Sequence, residues 1–183
     1  MHRTLVRSPF VLVAVLALLV FAAAPAAART TTFSETFDVT STAAPCGFSV
    51  QIHDVGKNMF RFQSDQFALN QAGVRTYTNP ETGLSATQDF QNLFTNTNVV
   101  DNGDGTLTLD QTTVGSGTLR GPDGAVLLRG HGPVSAHLVI NPSAESEDDF
   151  IISQDIFFSH GSHPSEDAFC QALTAAIGPG ATA

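Results

Sequence analysis

Basic residues are scarce in this sequence. Its 183 residues include 8 Lys and Arg against 17 Asp and Glu, which gives a formal net charge of −9. Binding to nucleic acid depends on clustered Lys and Arg that neutralise phosphates. The acidic balance therefore excludes nucleic acid and anionic membrane surfaces as partners.

Motifs of the common catalytic and cofactor sites are also missing. The segment Gly115–Gly121, written GSGTLRG, lacks the Lys-Ser/Thr ending of a phosphate-binding loop. Ser116 lies between two glycines, but without the G-x-S-x-G pattern of a hydrolase nucleophile. We therefore expect no cofactor, and these absences favour a protein that is not an enzyme.

A long apolar run, Phe10–Ala24, lies near the N-terminus. Arg3 and Arg7 precede it, and a small-residue site ending at Ala28 follows it. This order is that of a secretory signal peptide, and the run ends in a cleavage signal instead of the charged stop of a membrane span. The predicted divisions are a signal peptide over residues 1–28, one secreted β domain over 29–178 without a membrane span, and a flexible tail over 179–183.

The chain has two cysteines, Cys46 and Cys170, and both lie beyond the predicted signal peptide. An exported protein meets an oxidising compartment, in which cysteines pair. We predict a Cys46–Cys170 disulfide. The alternative is two unpaired buried thiols.

Short alternating apolar runs, separated by turn residues, fill most of the chain. The clearest turn lies within Val99–Leu109, VVDNGDGTLTL, where Asn-Gly and Asp-Gly separate two such runs. Asn79–Gly83 and Gly121–Gly124 predict two further hairpin turns, and Gly56–Asn58 is interpreted as another. In all, about ten short strands are predicted.

Two strands are predicted before the first of these turns. In Thr31–Val39 the apolar residues fall on one side, and in Cys46–His53 the even positions are apolar, with Cys46 at the inward-facing start. Ten antiparallel strands indicate an all-β domain. We predict a single-domain antiparallel β-barrel, because closure removes sheet edges, and keep a Greek-key β-sandwich as the alternative.

One helix is expected near the C-terminus. Apolar residues recur at helical spacing over Phe169–Ile177, and Gly178 ends the run. Ser162 or Ser165 is suited to the N-cap position. Cys170 lies beside the apolar stripe, so the predicted disulfide would tie this helix to the first strands.

Four segments carry a resemblance to known proteins: TNPETGLSATQDFQNLF, VVDNGDGTLTL, GTLRGPDGAVLLRG and EDAFCQAL. In this order they resemble an uncharacterised group of small exported actinobacterial β-rich proteins. The resemblance implies an extracellular location and a β-rich domain, and it assigns no catalytic residue. A weaker similarity is to barrels of the calycin or allene-oxide-cyclase type, although the chain has no Trp and so lacks the Gly-x-Trp signature of lipocalins.

The candidate catalytic residues are His137, His131 and Asp155. His137 lies within a predicted strand, where a nearby Asp155 or Asp110 would orient it as a general base. Gly132-Pro133 separates the two histidines and is interpreted as a strand break, so a shared face is not assumed.

His160 and His163 are the candidate metal ligands, because two imidazoles with a nearby carboxylate suit zinc. Their spacing is not that of an H-E-x-x-H helix, and a Gly-Ser-Pro loop gives no rigid frame. Exposed loop histidines and no metal are therefore the favoured interpretation.

Phe60, Phe62 and Phe67 are candidates for the lining of an apolar pocket inside a barrel, and core filling is the favoured alternative. The leading hypothesis for function is a non-enzymatic secreted binding or interaction module, with a small apolar molecule in a barrel or a protein or cell-surface partner. One alternative is a secreted barrel enzyme, an isomerase, cyclase or hydrolase using His and carboxylate acid–base chemistry. The other is a structural or adhesive surface protein.

Overall fold

The computed structural model describes residues 30–63, 66–144 and 150–182. The predicted signal peptide, residues 1–28, lies outside them. The described secondary structure comprises β1 (Thr31–Ala43), β2 (Val50–Gln63), β3 (Gln66–Thr78), β4 (Ser85–Asp101), β5 (Leu107–Arg120), β6 (Val126–Ile140), β7 (Ile151–Ser159) and α1 (Glu166–Ile177).

All seven strands belong to one antiparallel sheet, and their spatial order is their order in the chain. The all-β class with one C-terminal helix is therefore confirmed. The sequential order lacks the crossover connection of a Greek key. Because alternate strands of a meander run the same way, β1 and β7 run in parallel directions.

The sheet is open within the described residues, where each edge strand pairs with one neighbour and β1 is not joined to β7. The predicted closed barrel is therefore not confirmed. Both edge strands face solvent, and every residue of β7 is exposed. Its exposed large apolar side chains are Ile151, Ile152, Ile156, Phe157 and Phe158.

The strands are fewer and longer than the sequence predicts. Gly56–Asn58, interpreted as a turn, lies inside β2, and Gly132-Pro133, interpreted as a strand break, lies inside β6. Both glycines face another glycine across the sheet, Gly56 opposite Gly73 and Gly132 opposite Gly115. Glycine inside a strand marks a close approach as often as a turn, and here the close approach occurs.

Three predicted hairpin turns are confirmed. Asn79–Gly83 joins β3 to β4, and Gly121–Gly124 joins β5 to β6. In the turn between β4 and β5, Gly103 and Gly105 have φ of 78° and 89°, the left-handed conformation that favours glycine. The local chemistry of these turns therefore sets where the long strands end.

The buried apolar residues lie on one face of the sheet, the face that bears Phe60 and Phe62 of β2; we call it the inner face and the opposite one the outer face. A cluster beneath α1 contains Val50, Ile52, Tyr77, Ala86, Leu119, Leu173 and Ile177. An aromatic cluster contains Phe60, Phe62, Phe67 and Leu69. A third cluster contains Leu109, Ala136, Leu138, Ile140 and Phe150.

The helix α1 is fixed by a cap at its N-terminus and by a disulfide from its second turn. Ser165, one of the two predicted caps, accepts a hydrogen bond from Ala168 N at 3.1 Å. The predicted Cys46–Cys170 disulfide is confirmed, with the two Cα atoms 5.1 Å apart. Cys46 itself lies in the turn before β2 and not within the strand. Among the described helices, none has the length and apolar content needed to span a membrane.

Candidate functional site

A cleft of about 580 Å³ lies on the inner face. Strands β3 to β6 supply its floor and one wall, and the segment from Ser162 to Phe169 supplies the other. This volume is within the range of small-molecule sites, roughly 300–1,000 Å³. The cleft is therefore a candidate binding site.

Four glycines form the floor of the cleft. Gly115 and Gly117 of β5 are directly opposite Gly132 and Gly130 of β6. Because none carries a side chain, neighbouring atoms approach all four closely, and the backbone oxygen of His160 lies at the place of a Cβ on Gly132. A Cβ at Gly130 would lie 3.1 Å from Pro164 Cδ, so the segment before α1 covers one corner of the floor.

Two amide side chains of β4 reach over this floor. Gln88 Nε2 lies 3.2 Å from the position of a Cβ on Gly117, and Asn92 Oδ1 lies 2.5 Å from the position of a Cβ on Gly115. Tyr77, which is 2% exposed, donates its hydroxyl to Gln88 Oε1 at 2.9 Å. Burial raises the pKa of Tyr77, so its hydroxyl keeps the proton that it donates.

The walls of the cleft are mainly apolar. Phe169 of α1 meets Tyr77 edge-on, with the ring centroids 5.6 Å apart. Phe90 leans away from the floor towards Gly73 and stacks on Phe37, with the ring centroids 6.5 Å apart. Among the described residues that line the cleft, Glu166 is the single carboxylate and there is no Lys or Arg. The lining also includes the imidazoles of His131 and His163, so the basic side chains that an anionic ligand could meet there are histidines.

The outer face holds a second candidate site around His137. Asp110 of β5 lies opposite His137, and Asp155 of β7 lies opposite it on the other side. His137 Nδ1 is hydrogen-bonded to Asp110 Oδ1. The imidazole stacks on Phe157, with the ring centroids 4.4 Å apart. The structure thus joins the predicted histidine to Asp110, one of its two predicted carboxylate partners.

Asn98 completes this group. It sits at an irregularity of β4 with φ 54°, the left-handed conformation, and donates Nδ2 to Asp110 Oδ2 at 2.6 Å. The hydrogen bonds from Asn98 and then from His137 hold the pKa of Asp110 below its ordinary value. Sequence reasoning missed Asn98. The signal that could have found it is that Asn enters the left-handed region more readily than other non-glycine residues.

His131 is not part of this group. It has the same outward parity on β6 as His137, but its backbone forms a bridge to Ser162, with His131 N 2.8 Å from Ser162 O. The strand is continuous between the two histidines, so they do share a face. At about 3.3 Å per residue, six residues separate them by about 20 Å.

The candidate metal ligands lie in the segment before α1. His163 Nε2 is 2.9 Å from the backbone oxygen of His160, and both residues are exposed. Across residues 30–63, 66–144 and 150–182, no three His, Cys, Asp or Glu side chains are grouped closely enough to hold a metal ion.

The three candidate pocket phenylalanines lie in the aromatic cluster and do not line the cleft. Phe60, Phe62 and Phe67 are buried, and the rings of Phe62 and Phe67 have centroids 5.1 Å apart. Phe33 of β1 stacks on Phe60, with a centroid distance of 4.5 Å. These are the contacts of core side chains, and a role in ligand binding stays a prediction.

Sequence reasoning also missed the cleft residues Gln88 and Asn92. Both fall at even positions of an alternating strand, together with Phe90, and so share its inward face. Polar residues at the inward parity of a strand are the signal that could have found them.

Comparison of the chain with protein-family models, with curated proteins and with solved structures gives no match. The function is therefore inferred from the geometry of the cleft and of the outer-face group. The two sites imply different chemistry, because one is a mainly apolar cleft and the other an exposed acid–base pair.

Proposed function

We propose that this protein is a non-enzymatic, exported binding module that holds a small, neutral and largely apolar ligand in the inner-face cleft. The observation that carries the proposal is the glycine floor. Glycine weakens a strand interior, because it costs backbone entropy and offers no side chain to pack. Four glycines in paired registers over two strands keep four side chains out of the cleft, which favours a role for the space above them.

The electrostatics of the cleft support a neutral ligand. The lining residues described above carry one carboxylate, Glu166, and no Lys or Arg, and the chain as a whole has a net charge of −9. An anion would find no Lys or Arg there and would be repelled by the acidic surface. A neutral molecule with an apolar body fits the walls formed by Leu119, Leu128 and Phe169.

Export is part of the proposal. It is supported by the N-terminal pattern of basic, apolar and small residues and by the Cys46–Cys170 disulfide, which is typical of an oxidising compartment. Membership of the exported actinobacterial group, which depends on the resemblance of four sequence segments, stays a proposal. The closed barrel also stays a prediction, and closure would require a parallel pair between β1 and β7.

The proposal is tested by adding a side chain to one glycine of the floor. Gly117→Val places a side chain next to Gln88 Nε2, which lies 3.2 Å from the Cβ position, and Val favours strands. Wild type should enhance the fluorescence of the neutral apolar probe N-phenyl-1-naphthylamine, and Gly117→Val should remove most of this enhancement. Thr118→Val, on the next residue and the outer face, is the control and should bind as wild type does. Equal binding by all three proteins would overturn the proposal.

A second candidate function, acid–base catalysis, is favoured by one observation, the Asn98–Asp110–His137 group. An imidazole oriented by an ionised carboxylate is suited to act as a general base. Hydrolysis of 4-nitrophenyl acetate measures this catalytic activity, and His137→Ala should lower the rate of hydrolysis. His53→Ala is the matched control, because His53 pairs with Asp38 at 2.8 Å in another exposed site of the outer face. A rate that is the same in wild type and both variants would contradict catalysis.

A further inference from the structure

The two amide groups over the glycine floor point to a more specific ligand. We infer that the cleft takes a neutral aromatic ring with a hydrogen-bond acceptor at one end and a donor at the opposite end, the pattern of a para-substituted phenol that carries a carbonyl group. This inference rests on the proposed function, because it concerns the same cleft and names the class of its ligand.

Gln88 supplies the donor of the site. Its oxygen is already used, because Oε1 accepts the hydroxyl of the buried Tyr77 at 2.9 Å. This bond fixes the orientation of the amide, since the hydroxyl has to meet the oxygen and not the nitrogen. Nε2 is then directed to the space above Gly117. A ligand at this point meets an N–H group and needs an acceptor such as a carbonyl oxygen.

Asn92 supplies the acceptor. Its Oδ1 lies over Gly115, in the place that a side chain of that residue would occupy. A ligand at this point needs a donor such as a hydroxyl. Gly115 and Gly117 are two residues apart on one strand, so the donor and the acceptor of the protein lie above points about 7 Å apart.

The surface between the two amides suits a flat ring. The floor carries no side chains, and Phe90, which comes between Gln88 and Asn92 on β4, leans towards Gly73 on the far side. A six-membered ring with para substituents is a short rigid scaffold that places polar atoms at opposite ends. Because the lining lacks Lys and Arg, the acceptor end is a neutral carbonyl and not a carboxylate.

The test compares two probes by calorimetry on the full-length protein. 4-Hydroxyacetophenone carries the phenol donor and the carbonyl acceptor, whereas 4-methoxyacetophenone has lost the donor. We expect wild type to bind the hydroxy compound about five-fold more tightly, the effect of one hydrogen bond. Asn92→Leu should remove this preference. Gln91→Leu, the outward neighbour on β4, is the matched control and should keep it.

The outcomes separate this inference from the proposed function. Equal affinity of wild type for the two probes, with the naphthylamine still bound and still lost in Gly117→Val, overturns the donor–acceptor ligand and leaves the binding module. A preference for the hydroxy compound that survives in Asn92→Leu also overturns it. Failure of wild type to bind the naphthylamine and both acetophenones overturns the inference together with the proposed function.

Discussion

Arg75 and Asp54 form a two-point ion pair across β2 and β3 on the inner face. Arg75 Nε lies 2.6 Å from Asp54 Oδ1, and Arg75 Nη2 lies 2.7 Å from Asp54 Oδ2. The two side chains are 17% and 4% exposed. Burial by itself would lower the pKa of Arg75, but the hydrogen bonds to Asp54, together with the electrostatic interactions of the guanidinium with Tyr77 and Asp54, raise this pKa overall. The guanidinium of Arg75 is thus held charged in a mostly buried place.

Removal of either Arg75 or Asp54 alone should lower the stability of the fold. We expect Asp54→Asn to lower the free energy of unfolding by about 3–5 kcal/mol, because it leaves a buried guanidinium without its counter-charge. The double variant Asp54→Leu/Arg75→Met should lose less than the sum of the two single changes. Urea denaturation measures both. Asp89→Asn is the control, since Asp89 and Arg120 form an exposed pair with a distance of 3.7 Å. An effect of Asp54→Asn as small as that of the control would contradict the prediction.

The turns and the disulfide could be predicted because their causes are local or compositional. Asn102 and Gly103 favour a turn wherever they occur, and with two cysteines in the chain each has one possible partner. Gly56 could not be interpreted correctly from its neighbours. Its place inside β2 depends on the ring of Phe37 and the backbone of Ala72, which come from two other strands.

The candidate sites also combine features that local sequence predicts with features that depend on contacts between distant strands. The pairing of His137 with a carboxylate was predictable, because alternation within strands puts such residues on one face. Strand register puts both Asp110 and Asp155 opposite His137, and the orientation of the side chains, which local sequence does not indicate, joins it to Asp110. The cleft depends on four strands and a helix at once, so no local pattern indicates it. Only the inward parity of Gln88 and Asn92 is visible in the sequence.

The disulfide should contribute much of the stability of the fold. Cys46 and Cys170 are 124 residues apart, so the bond constrains nearly the whole described chain in the unfolded state. We expect Cys46→Ser/Cys170→Ser to lower the free energy of unfolding by roughly 4–5 kcal/mol. Thermal or urea unfolding measures the loss. Reductant should destabilise wild type and leave the double variant unchanged, and a wild type that is insensitive to reductant would contradict the prediction.

The group around Asp110 should respond to acid. Its folded pKa is lowered, so its carboxylate stabilises the folded state above its unfolded pKa of about 4, and this contribution is lost as the pH falls through the folded pKa. Asn98→Ala removes the hydrogen bond that lowers the pKa of Asp110 most, and it should raise this pKa towards its ordinary value. Carboxyl NMR titration measures this directly. Asn102→Ala, in the neighbouring turn, is the control and should leave the Asp110 titration unchanged. If Asn98→Ala also left it unchanged, the prediction would be contradicted.

The glycines of the inner face should differ in their tolerance of a side chain. A Cβ at Gly56 would collide with Phe37 Cζ and with the backbone oxygen of Ala72, and a backbone atom cannot move aside. At Gly117 the nearest atom is Gln88 Nε2 at 3.2 Å, a side-chain atom that has to yield only slightly. We expect Gly56→Ala to lower the free energy of unfolding by about 1–3 kcal/mol through overpacking. Gly117→Ala should change it by less than about 1 kcal/mol, because the lost glycine entropy offsets the small contact. Urea denaturation of the two variants measures the difference, and equal stability would mean that the close approach of β1, β2 and β3 does not require glycine.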